Sequence, residues 1–163
     1  MELDTIDKLA RSFRLTCATG VLIMNSVFYG MMRSFELNVP PGVSQAEGLI
    51  IMSYAWVAES SLRYPSSRRG CIPWLALFSE FYTIAIYVFV AALYEAGTRS
   101  CSSYADTPIG AFKGALGFVS VENSCGMQTG IFTLATLTVF SSLTWWAFYL
   151  RLYRHHQREQ LGG

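Results

Sequence analysis

The chain has 163 residues, 52% of them hydrophobic and 14% charged, and a net charge of +1. Soluble domains carry about 25% charged residues, so the deficit points to a chain that lives in lipid. The near-neutral balance excludes a nucleic-acid binder, whose electrostatic footprint would be a concentrated basic face.

Between Met1 and Arg14, the apolar residues Leu3, Ile6, Leu9, Ala10 and Phe13 recur at helical spacing among six charged ones. This predicts either a short amphipathic helix on the membrane surface or a solvated lead into the first span. No cleavable signal is expected, because the polar lead is long and no small-residue cleavage site follows. Leu15 to Met32 has no charge and is closed by Arg33, which makes residues 15–32 the first predicted span. Asn25, near its middle, is expected to satisfy its amide across a helix interface. Gly20 and Gly30 stand too far apart to form a GxxxG face.

Pro40-Pro41-Gly42 is a stop-and-turn signal. The second predicted span, 43–62, has a short apolar centre from Gly48 to Ala58, with Glu47 and Glu59 at its two ends. Arg63 to Gly70 reads as a basic turn broken by Pro65. The third predicted span, 72–96, is about 25 residues long, ample for a ~30 Å hydrocarbon layer. Glu80 lies inside it. A charged carboxylate there costs about 2.5 to 3.5 kcal/mol, so it must face protein or water rather than lipid. Gly97 to Gly126 is predicted as a long loop with Cys101 and Cys125 near its ends. The fourth predicted span, 127–150, is uncharged and carries Trp145, Trp146 and Tyr149 where an interfacial belt would sit. Residues 151–163 read as a basic tail.

Four crossings put nine of the twelve Lys and Arg residues on the side of the two termini and the 63–70 turn, leaving Arg33, Arg99 and Lys113 opposite. By the positive-inside rule both termini are then cytoplasmic. The expected fold is an all-α integral membrane four-helix bundle, one domain over 1–163. Its long Cys-bounded loop faces away from the cytoplasm, where oxidation would join Cys101 to Cys125. Cys17 reads as a small packing residue, and Cys71 as a cytoplasmic thiol or a palmitoylation site.

Five intramembrane polar residues remain as candidates: Asn25, Glu47, Glu59, Glu80 and Tyr82, each facing the bundle interior or a partner. Glu59 and Glu80 fall in the cytoplasmic half of their helices and could share a proton as an acid/base pair, with Ser53, Tyr54 and Tyr82 lining the same interior. Alternatively, Glu80 pairs with a basic residue at a helix end, Arg14 or Arg63, or faces a donor on another membrane protein. No hydrolase elbow, dinucleotide fingerprint, Walker loop or HExxH sequence is present. No Cys and His spacing suggests a metal. His155 and His156 read as solvated residues of the tail.

Four features resemble the MARVEL group of four-helix membrane proteins: cytoplasmic ends, an acid within the third span (LFSEFYTIAIYVFVAAL), a Cys-bounded loop, and the aromatic last helix TLTVFSSLTWWAFYL. That resemblance implies a membrane organiser or trafficking adaptor without catalytic residues of its own. The size and four-span plan are also similar to small membrane proteins of fungal natural-product pathways that act beside a cytochrome P450, for example in forming para-cyclophane rings. This second resemblance implies an endoplasmic-reticulum subunit that docks on the P450 membrane anchor. Haem and oxidation would then belong to the partner, with no cofactor in this chain. The leading expectation is a non-catalytic accessory subunit that positions another integral membrane protein. The alternatives are a MARVEL-like organiser that self-associates and a small cofactor-free enzyme using Glu59 and Glu80.

Overall fold

The computed structural model describes residues 3–34, 39–62, 73–95 and 121–161, and among these every regular element is an α-helix. There are four: α1 (Leu3–Ser34), α2 (Pro41–Leu62), α3 (Pro73–Tyr94) and α4 (Val121–Leu161). The 63–70 turn, Cys71 and most of the predicted loop, Cys101 included, lie outside the described residues.

Proline sets two of the starts. Pro41 and Pro73 open α2 and α3 at the first helical position, where the missing N–H would have had no partner and the fixed φ already suits a helix. At α2 the amides of Val43 and Ser44 both bond back to the Pro40 carbonyl, at 3.0 and 3.3 Å, which closes the first turn.

Three expected boundaries move. The amphipathic segment before Arg14 is not a separate surface helix: α1 runs unbroken from Leu3 to Ser34, since no proline or turn residue interrupts it. The predicted loop loses its last six residues, because Val121 to Gly126 already belong to α4. The basic tail is also helical as far as Leu161, so polar residues there extend the last helix by about three turns.

Each helix buries one stripe at intervals of three and four residues. On α1 it is Arg14, Ala18, Val21, Asn25, Phe28 and Met32; on α2, Val43, Ala46, Ile50, Ser53 and Val57. On α3 it is Glu80, Thr83, Tyr87, Val90 and Tyr94; on α4, Cys125, Gln128, Ile131, Ala135, Thr138 and Ser142. Their apolar members form one continuous core. Around the bundle α1 packs on α2 and α4, and α3 packs on the same two helices. Pairs from α1 to α2 run in opposite directions, Arg14 with Ser60 and Ser26 with Glu47, whereas across the diagonal to α3 they run in the same direction, Arg14 with Glu80 and Asn25 with Tyr94. The bundle is therefore up-down-up-down.

Two glycines make room for side-chain ends between α1 and α4. A methyl on Gly20 would come within 2.7 Å of Leu134 Cδ1, and one on Gly130 within 2.5 Å of Met24 Cε.

Two stretches are long and apolar enough to cross a membrane, Lys8–Ser34 (27 residues) and Cys125–Ala147 (23 residues), while Phe78–Tyr94 is a shorter apolar helix. At 1.5 Å per residue the two long stretches extend about 40 and 35 Å, against a ~30 Å hydrocarbon layer. Large apolar side chains also point outward from all four helices, among them Phe13, Ile23, Met52, Trp56, Phe78, Phe81, Phe140 and Leu143. A soluble monomer rarely exposes that much.

Candidate functional site

Two polar clusters cross the bundle, one near each end of the described core. They lie eleven residues apart on α1, which is about 16 Å along the axis.

In the first cluster Arg14 of α1 reaches over the diagonal and donates from Nη1 to Glu80 Oε1 of α3; both side chains are almost entirely buried. Its other terminal nitrogen, Nη2, donates to Ser60 Oγ of α2 at 2.7 Å, and the Ser60 hydroxyl in turn donates to the Val57 carbonyl at 3.0 Å. The Trp145 ring of α4 is faced by two guanidinium groups, Arg14 at 5.5 Å and Arg11 at 5.9 Å from its centroid. All four helices thus contribute to one charged node. Its chemistry is that of a structural ion pair, since the carboxylate is neutralised by a group that does not deprotonate in proteins.

In the second cluster the Tyr94 hydroxyl of α3 donates to Asn25 Oδ1 at 2.6 Å, and Asn25 Nδ2 donates to Glu47 Oε2 of α2 at 2.5 Å. Ser26 Oγ donates to Glu47 Oε1 at 2.6 Å. The Tyr94 ring is fixed by an edge-to-face contact with Phe28, centroids 6.0 Å apart. Three helices meet here through neutral donors that converge on a carboxylate.

Of the sequence candidates, Asn25 and Glu47 are brought together, and Glu80 is placed with Arg14. Glu59 and Tyr82 are on exposed faces of α2 and α3. The expected common interior of Ser53, Tyr54 and Tyr82 therefore lacks Tyr82, which is 45% exposed; Ser53 is buried and Tyr54 half-buried, its hydroxyl 3.5 Å from Thr19 Oγ1. A helical step of 100° per residue separates Glu59 from the inward-facing Ser60, which is why proximity along the axis did not become contact.

Cys125 is buried and disulfide-bonded, and Cys17 is buried as a free thiol. Cys101 lies outside the described residues, as does Arg63. His155 and His156 fall within the helical end of α4. Among the described residues no group of three or more His, Cys, Asp or Glu side chains could hold a metal ion.

Sequence reasoning missed two partners. Trp145 reads as an interfacial belt residue but stacks under arginine, and Tyr94 reads as one more aromatic near the end of a span but completes the Asn25 network. The signal for Tyr94 was its place fourteen residues after Glu80 on the same inward stripe.

Comparisons with known protein families, with curated proteins and with solved structures return no match. The fold itself defines the class: a helical bundle with apolar outer faces and an apolar core crossed by two polar clusters.

Proposed function

We propose that this chain is a non-catalytic membrane subunit that binds and positions another integral membrane protein, with a membrane-anchored biosynthetic oxidoreductase such as a cytochrome P450 as the partner. The observation that carries this reading is the state of Glu80. The acid best placed for chemistry is neutralised by Arg14, and Glu59, its expected partner in acid/base work, is exposed. The interior polar groups thus hold helices together, while the outer face of α3 offers Phe78, Phe81 and Tyr82 to its surroundings, at 72%, 70% and 45% exposure.

In this reading all four helices cross the bilayer. The two shorter helices, α2 and α3, have 22 residues each, or about 33 Å, and their acids Glu47 and Glu80 are turned onto partners of the bundle. Both termini are cytoplasmic, Cys101 is the disulfide partner of Cys125, and the membrane is that of the endoplasmic reticulum. The haem, where oxidation occurs, belongs to the partner.

The test is co-purification of the full chain in gentle detergent. Recovery of a stoichiometric membrane oxidoreductase with a haem spectrum is the expected result. Self-association with enriched lipid and no oxidoreductase would favour a MARVEL-like organiser instead, and turnover by the isolated chain, lost in Glu80→Gln, would favour an enzyme.

A further inference from the structure

Gln128 is fully buried on the inward stripe of α4, yet neither its amide oxygen nor its amide nitrogen has a hydrogen-bond partner among the described residues. A buried carboxamide carries two donors and a two-lone-pair acceptor, and groups of this kind in protein interiors are paired with protein or ordered water almost without exception.

Its surroundings follow from the α1–α4 register. Gly130 faces Met24, and Gly20 faces Leu134. Gln128, half a turn before Gly130 on the antiparallel helix, is therefore level with Asn25 and Ser26. At that level stands the chain of bonds from Tyr94 through Asn25 to Glu47. The chain has unused capacity: the Tyr94 oxygen can accept, the second Asn25 N–H can donate, and each Glu47 oxygen has another lone pair. A molecule that both donates and accepts, and is small enough to enter a packed interior, would complete both sides at once.

We propose that Gln128 and the Tyr94–Asn25–Glu47 chain frame an internal site that binds ordered water, and that this water ties α4 into a polar layer otherwise built from α1, α2 and α3. Both polar clusters then engage all four helices, the first through Trp145 and the second through solvent. The inference rests on the fold alone and stands whether or not a partner protein exists.

The experiment uses the full chain in lipid nanodiscs, labelled with 13C,15N-glutamine and carbonyl-13C methionine. Met127-Gln128 is the sole Met-Gln pair in the sequence, so its backbone signal is unique and leads to the side-chain amide by through-bond transfer. The expected result is a cross peak between the Gln128 amide protons and water whose sign differs between laboratory-frame and rotating-frame spectra, the signature of a bound molecule. Peaks of the same sign in both, which mark proton exchange alone, or peaks only to protein protons, would overturn the proposal.

Discussion

Arg14 and Glu80 pair across the bundle diagonal, joining the two helices that share no principal packing face. Because both are buried, the pair behaves as a lock: it favours a single register of α1 against α3, and removing either partner leaves a bare charge inside. Glu80→Leu and Arg14→Met are each expected to lower stability by about 3 to 5 kcal/mol, and the double variant to recover most of that loss. Denaturation of reconstituted protein in a detergent series measures all three. Additive losses in the double variant would mean that the two side chains do not depend on each other.

The second cluster should show graded effects, because its members have unequal numbers of dependants. Tyr94→Phe deletes one hydroxyl and leaves Asn25 Oδ1 without its donor, for a loss of about 0.5 to 1.5 kcal/mol. Glu47→Leu strands both the Asn25 amide and the Ser26 hydroxyl, and its loss should be the larger. The order of the two in the same unfolding assay is the check; the reverse order would place the weight of the network on Tyr94.

The fold was legible where period and punctuation agreed, and the site where charge demanded company. Long apolar runs marked the four helices, and the turn at Pro40-Pro41-Gly42 placed one start within two residues of the observed Pro41. Helix ends without proline were harder: nothing local stops α1 at Arg14 or α4 at Leu150, so both continue through polar sequence. Glu80 announced its need for a cation, and Arg14 was one of two expected sources. What one sequence could not supply was rotation about each helix axis. One residue of azimuth puts Ser60 inside and Glu59 outside, and composition does not separate them.

Glycine substitutions should distinguish close approach from mere flexibility. Gly130→Ala pushes against the Met24 methyl, the far end of a flexible side chain, and is expected to cost no more than about 1 kcal/mol. Gly48→Ala meets nothing within 4 Å and should stabilise by about 0.5 to 1 kcal/mol through helix propensity alone. Thermal unfolding of the two variants gives the comparison, and equal effects at Gly130 and Gly48 would show that the Met24 side chain moves aside without cost.

The proposed four-crossing arrangement makes a prediction about sidedness that is independent of any partner. Single cysteines placed at Ser66 and Gln157, in a chain with Cys71 replaced by Ser, should both react with a membrane-impermeant thiol reagent from the cytoplasmic face. A cysteine at Tyr104 should react only after the membrane is opened. The physical basis is the distribution of arginine and lysine, since translocating the Arg63, Arg68 and Arg69 cluster would oppose the bias that orients short loops. If instead position 66 labels from the face opposite to 157, an odd number of crossings separates them, and α3 and α4 cannot both span. Helix α3 would then be the one to reassign, because its apolar stretch, Phe78–Tyr94, is shorter than the Cys125–Ala147 stretch of α4.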